Sequence, residues 1–219
     1  MNKKGVRSRI EEVGIIPAVR VSSSEDARFA ATAVHFAGIP IAEITVTVPD
    51  AIEVISELRR DIPEMLVGAG TVLDIETARR CLRAGAQFLT SPGFVPEVVE
   101  FARKHEVAVL PGALTPTEII AAWKAGADLI KVFPCAQVGG DAYIRALRAP
   151  FPHVPLIASG GVNQQTAFNF ILAGASALGI GGQLIPQESV DGRKEDRIRE
   201  LARRFLKMVK DARARRSSG

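Results

Sequence analysis

Tryptophan and tyrosine occur once each, cysteine twice and histidine three times in 219 residues, and these scarcities narrow the possible functions before any motif is considered. Cys81 and Cys135 form no CxxC pair and are too few for a disulfide framework, which points to a reducing, cytoplasmic compartment. His35, His105 and His153 stand at no ligand spacing and none falls at the end of a strand-like run, so neither a metal site nor a cofactor is expected. No apolar run approaches the ~18 residues of a membrane span, and the first residues lack the continuous apolar segment of a secretory leader. The formal charge of +4 is concentrated at the two ends, in Lys3, Lys4, Arg7 and Arg9 and again between Arg203 and Arg216. Without interleaved aromatics that pattern reads as solvated helix faces and gives no nucleic-acid surface.

What the chain has in quantity is alternation. Strand-like runs at 15–21, 41–48, 66–72, 88–92, 108–111, 128–134, 156–159 and 177–180 are separated by amphipathic stretches, most of them opened by Ser or Asp and several closed by an Ala-Gly pair. Gly38, Gly85, Gly126 and Gly174 mark those closures. Thr115-Pro116-Thr117-Glu118 is a capping box with proline at the first helical position. Strict strand–helix alternation at this length predicts a single (β/α)8 TIM barrel over 1–219, with its core at 12–186. A short helix is expected within the first 14 residues, an amphipathic helix at about 193–212, and a frayed basic tail at 213–219. An open doubly wound sheet is the competing architecture, but no G-x-G-x-x-G follows the first strand.

Inside one of these strands stands Lys131, flanked by Leu129, Ile130, Val132 and Phe133. Lysine is rarely buried without a partner. Desolvation favours a neutral amine over an ammonium, and a neutral amine attacks carbonyl carbon. A snorkelling lysine at a strand end would use the same residues structurally. Glu43 is the second anomaly: in the run 41–47 it shares a face with Thr45 and Thr47, and it is the one acidic residue assigned to a strand interior. A carboxylate there suits the proton transfers that amine chemistry needs, although an ion pair with Arg20 would also account for it.

The remaining polar groups fall where a barrel keeps its chemistry, at the carboxyl ends of the strands. Arg20 ends the first strand, with a guanidinium suited to carboxylate or phosphate. Gly68-Ala69-Gly70-Thr71 ends the third, its glycines permitting close approach and Thr71 offering a hydroxyl. Gly160-Gly161 and Gly181-Gly182 end the last two strands, where barrels commonly hold phosphate on backbone N–H groups, and Gln164 is expected to open a helix just after the first pair.

Taken together, Glu43-Ile44-Thr45-Val46-Thr47-Val48-Pro49, Val67-Gly68-Ala69-Gly70-Thr71-Val72, Ser91-Pro92-Gly93-Phe94, Pro111-Gly112 with Thr115-Pro116-Thr117-Glu118, Ile130-Lys131-Val132-Phe133-Pro134 and Ser159-Gly160-Gly161-Val162 resemble the successive motifs of the 2-keto-3-deoxy-6-phosphogluconate / 4-hydroxy-2-oxoglutarate aldolase family. The resemblance implies a metal-free class I aldolase on a (β/α)8 barrel, assembled as a homotrimer, that takes a phosphorylated 2-keto-3-deoxy sugar acid. It implies Lys131 as Schiff-base lysine, Glu43 as general acid/base, Thr71 on the pyruvate carboxylate, Pro92 and Phe133 as pocket walls, and the glycines at 160, 161, 181 and 182 on the phosphate. Thr47 stands where some members carry arginine, which shifts charge recognition toward Arg20, and Ser159 keeps a hydroxyl where others have threonine. Cleavage of 4-hydroxy-2-oxoglutarate or of the galactonate epimer keeps the same lysine chemistry, and a sugar-phosphate-binding barrel without catalysis is the non-enzymatic alternative.

Overall fold

A computed structural model describes residues 2–218. Its elements follow in the order α1 (Lys3–Val13), β1 (Ile15–Val19), α2 (Ser24–Phe36), β2 (Ile41–Thr45), α3 (Ala51–Asp61), β3 (Leu66–Gly70), α4 (Ile75–Arg83), β4 (Phe88–Thr90), α5 (Pro96–Lys104), β5 (Ala108–Leu110), β6 (Gly112–Ala113), α6 (Pro116–Lys124), β7 (Ile130–Val132), a 3-10 turn at Ala136–Val138, α7 (Gly140–Arg148), β8 (Leu156–Ser159), α8 (Ala167–Leu172), β9 (Ala177–Ile180), α9 (Gln187–Asp191) and α10 (Glu195–Ser217). Every strand pair is parallel, in the order β5-β4-β3-β2-β1-β9-β8-β7-β6. The two ends of that order, β5 and β6, are halves of one strand interrupted at Pro111. The sheet is thus the expected (β/α)8 barrel.

Ring closure has a local cause. Proline has no N–H to donate, and at Pro111 the strand exchanges one neighbour for the other. The Pro111 carbonyl accepts from Lys131 N–H at 2.9 Å, so the break itself is tied to β7. Below it Asp128 substitutes for a strand residue: its N–H donates to Val109 O at 2.9 Å and its Oδ2 accepts from Val109 N–H at 3.0 Å. The other carboxylate oxygen of Asp128 pairs with Lys3 Nζ at 3.2 Å, linking α1 to the seam. α1 buries Val6 and Ile10 and packs on β5 and β9.

Helix starts follow from capping side chains. Ser23 accepts from Asp26 N–H, Asp74 accepts from Thr77 N–H, and Thr115 and Glu118 complete the capping box. The Thr77 N–H holds the Asp74 carboxyl below its usual range, and the N–H groups of Leu114 and Thr115 do the same for Glu118. Asp50 departs from the pattern: it precedes α3 in a left-handed conformation and caps nothing. α8 also starts later than expected, at Ala167 rather than 164, because Asn163 Oδ1 accepts from the N–H groups of Gln165 and Thr166 and holds those residues in a turn.

The largest departure lies at the carboxyl terminus. Instead of fraying at 213, α10 continues to Ser217. Arg213 is the reason: its guanidinium donates to the carbonyls of Glu11, Glu12 and Ser176, acceptors left over at the end of α1 and just before β9. Gly14 makes room, since a Cβ there would lie 2.5 Å from Arg213 Nη2. Burial lowers the Arg213 pKa from its ordinary value, and Arg216 adds a bond to Ile171 O. No helix among the described residues is long and apolar enough to cross a membrane.

Arg213→Ala is therefore expected to lower unfolding free energy by about 1–3 kcal/mol. Exposed Arg215→Ala should stay within about 0.5 kcal/mol. Urea denaturation of both variants measures the contrast, and equal effects would return residues 213–217 to the status of a tail.

Candidate active site

The inner face of each strand is set by period two, and the middles of β2 and β7 contribute its two charged residues. Glu43 stands on β2 and Lys131 on β7, four places apart in the barrel, so their side chains meet across the lumen. Lys131 Nζ lies 3.7 Å from Glu43 Oε1, with side-chain exposures of 14% and 4%. Phe133 shares the lysine face, its ring centroid 5.6 Å from Nζ. The alternative pairing of Glu43 with Arg20 is not adopted.

Room for this pair is made by missing side chains. A Cβ on Gly70 would sit 2.3 Å from Glu43 Oε1, so the carboxylate occupies the space above that glycine. A Cβ on Gly68 would sit 2.3 Å from the Phe88 ring, and one on Gly179 would sit 2.7 Å from Ser159 Oγ. The glycines at the end of β3 permit close approach, as expected of a ligand or a backbone, and what approaches them is the side chains of Glu43 and Phe88. Ala18 faces Glu43 directly in the β1–β2 register and keeps that side of the lumen low.

The resulting cleft has a volume of about 390 Å³ and is lined by Ala18, Arg20, Glu43, Lys131, Phe133, Ser159, Val162, Gly179, Gln183 and the backbones at 160–161 and 181–182. A slightly larger hollow of about 430 Å³ lies between α1 and α10, lined by Arg9, Glu12, Gly38 and Arg213, but it pairs no buried amine with a buried carboxylate. Among the expected site residues, the cleft brings together Lys131, Glu43, Arg20, Phe133, Ser159, Gly160, Gly161, Gly181 and Gly182.

Three others stand outside that lining. Thr71 is one hydrogen bond away, its Oγ1 3.3 Å from Arg20 Nη2. Its backbone has φ 62°, a left-handed conformation that a β-branched residue adopts only under constraint from its surroundings. Thr47 lies past the end of β2, its hydroxyl 3.1 Å from that of Thr45, which in turn donates to Val19 O at 3.0 Å. Pro92 presses its carbonyl against Gly112, where a Cβ would meet that oxygen at 2.0 Å. Ala18, Val162, Gly179 and Gln183 line the cleft without having been singled out from sequence. For Ala18 and Gly179 the signal was available: both are small residues at inward parity on strands that lie between β2 and β7 in the ring.

The two glycine pairs differ. Gly160 and Gly161 both have positive φ, and Cβ atoms there would lie 2.9 Å from Pro134 Cα and 2.2 Å from Ala136 Cβ. Close passage of the 134–136 backbone thus requires glycine, and Cys135 N–H and Ala136 N–H donate to Ser159 O and Gly160 O. At Gly182 nothing lies within 4 Å of the missing Cβ, and at Gly181 only Ala18 O does, at an ordinary contact distance of 3.6 Å, so glycine is not forced here by crowding. α8, the element following the first pair, does not begin at Gln164 and offers no helix terminus beside it.

Cys135 is buried just beyond the lysine strand, and desolvation pushes its thiol up to about 12; the same cause pushes Cys81 to about 11. A thiol so far above neutral pH supplies little thiolate. Incubation with iodoacetamide at pH 7.5 should leave both cysteines unlabelled in the native protein and label both after unfolding, as read by intact mass.

Comparison with known proteins places this geometry in context. The family described as KDPG and KHG aldolase matches residues 6–201. The chain is 34% identical over 201 residues to the 2-dehydro-3-deoxy-phosphogluconate aldolase of Treponema pallidum (strain Nichols), covering 91% of this chain and 95% of that one. It is 31% identical over 197 residues to the KHG/KDPG aldolase of Escherichia coli (strain K12), covering 90% and 92%. Among solved structures, a KDPG aldolase from Legionella pneumophila with pyruvate captured at low pH as a covalent carbinolamine intermediate superposes with a TM-score of 0.82 at 29% identity, over 90% of this chain and 96% of that one.

Proposed function

The chain belongs to the KDPG and KHG aldolase family, and from that premise we propose that it cleaves 2-dehydro-3-deoxy-6-phosphogluconate to pyruvate and glyceraldehyde 3-phosphate through a Schiff base on Lys131. The observation that carries this reading is the approach of Lys131 Nζ to Glu43 Oε1, 3.7 Å apart, in a cleft bounded by Arg20 and two glycine-rich strand ends.

The steps follow from what each group can do. The Lys131 amine adds to the C2 ketone, giving a carbinolamine. Glu43 as an acid donates a proton to the C2 hydroxyl, which leaves as water, and the iminium remains. Glu43, now a carboxylate, removes the proton of the C4 hydroxyl; the C3–C4 bonding pair moves toward the iminium nitrogen, and the aldehyde departs. The pyruvate enamine takes a proton at C3, and water hydrolyses the iminium to free pyruvate and the lysine. Arg20 and Thr71, already joined by a hydrogen bond, offer a cation and a hydroxyl to the carboxylate. Ser159 and the N–H groups at Gly160, Gly161, Gly181 and Gly182 suit the distal phosphate, with Phe133 as a wall and Thr47 and Pro92 at the margins.

Cleavage of 4-hydroxy-2-oxoglutarate is a second reading, favoured by the dual KHG/KDPG name of the Escherichia coli relative and by a cleft whose one arginine is Arg20. We also propose a cytoplasmic homotrimer, for which light scattering should return about three times the 23.4 kDa chain mass.

Borohydride reduction in the presence of pyruvate should add one reduced pyruvate to the wild-type mass and none to Lys131→Ala; a folded wild type that traps nothing would overturn the aldolase reading. With lactate dehydrogenase as the coupling enzyme, Glu43→Gln should lose about 100- to 10,000-fold in kcat. Gly70→Ala, which displaces the carboxylate without altering it, should lose about 100-fold. Rates on the phosphorylated sugar acid and on 4-hydroxy-2-oxoglutarate, measured side by side, decide between the two substrates.

A further inference from the structure

Thr90, the last residue of β4, holds a hydroxyl that the reaction scheme does not use. The residue is 1% exposed, and its Oγ1 has no hydrogen-bond partner among the described residues. Neighbouring buried hydroxyls behave differently: Thr45 donates to Val19 O and Ser91 to Gly93 O. A buried hydroxyl without a partner is costly, and valine would fill the same volume at no such cost.

Position says what the hydroxyl faces. Phe88 packs into the space that Gly68 leaves on the inner face of the barrel, and Thr90, two residues on, shares that parity. The β3–β4 register aligns Ala69 with Leu89, so Thr90 stands beside Gly70. Gly70 has no side chain, and the Glu43 carboxylate fills its place, with Oε1 2.3 Å from where a Cβ would be. The hydroxyl and the carboxylate therefore border the same space.

We propose that Thr90 is a positioning residue for Glu43, its hydroxyl a donor held free on the β4 side of the space that the carboxylate fills beside Gly70. The proposal rests on the reading of Glu43 as the general acid/base. That carboxylate must meet the C2 hydroxyl, the C4 hydroxyl and C3 in turn, and a donor on its β4 side holds its plane while its other side faces Lys131. Thr90 is not part of the cleft lining.

Thr90→Val keeps the shape and removes the donor, and Thr90→Ser keeps the donor and removes a methyl. Loss of one hydrogen bond to a charged group is worth about tenfold in rate, so Thr90→Val should lower kcat about tenfold with KM within about twofold, while Thr90→Ser stays within about threefold of wild type. Thermal melting reports folding, and Thr90→Ala replaces Thr90→Val if the latter does not fold. Wild-type kcat in the valine variant, or equal losses in valine and serine variants, would overturn the proposal, since packing alone predicts one or the other. Pyruvate trapping on wild type separates the two levels: a wild type that forms no adduct removes the aldolase reading, whereas a trapped wild type with an unaffected Thr90→Val removes only the role of Thr90.

Discussion

One constraint organises the molecule: an amine and a carboxylate held 3.7 Å apart inside an apolar barrel. Such a pair does not stabilise a fold to any great extent, because desolvating both charges offsets most of their attraction, and an apolar pair of similar volume would serve stability at least as well. The inner face accommodates the lysine–glutamate pair by subtraction, with Gly70, Ala18 and Gly179 in places where larger residues would fill the lumen. The cleft is therefore the consequence of small residues on β1, β3 and β9 opposite two long polar ones on β2 and β7.

Holding that distance requires a closed ring, and the ring closes at its weakest point by side-chain means. The fifth strand breaks at Pro111, immediately before Gly112 pairs with Lys131. Pro111 O and the Asp128 carboxylate recover the hydrogen bonds that the break would lose. Lys3 joins the same carboxylate from α1, so the amino-terminal helix acts on the strand that carries the lysine. Arg213 repeats the device on the other side, tying α10 to the end of α1. The first and last helices, α1 and α10, thus act on the frame around the cleft although neither contributes to its lining.

Period and composition were enough for the barrel and for the pair. A lysine and a glutamate each stand alone among apolar neighbours in a strand-length run, and two-residue periodicity directs both inward. The carboxyl-terminal residues were not readable in the same way, because a run of Arg, Ala and Ser looks like a solvated tail unless the free carbonyls of Glu11, Glu12 and Ser176 are known to lie beside it. The start of α8 was misjudged for a local reason: Asn163 forms a turn with its own side chain, and propensity alone does not register that competition. The β3 glycines carried an ambiguous signal, since close approach by a ligand and by Glu43 call for the same residue.

That ambiguity has a physical resolution in the order of the layers. Deep in the barrel a missing Cβ is filled by protein: Phe88 over Gly68, then Glu43 over Gly70. Toward the mouth the spaces cease to be filled, and at Gly182 the missing Cβ borders nothing within 4 Å. Gly160 and Gly161 lie between, required by the chain passing at 134–136 yet still lining the cleft. Depth therefore separates the functions of otherwise identical residues. Gly68 and Gly70 make room for the side chains around the lysine–glutamate pair, and Gly181 and Gly182 border open space in the cleft.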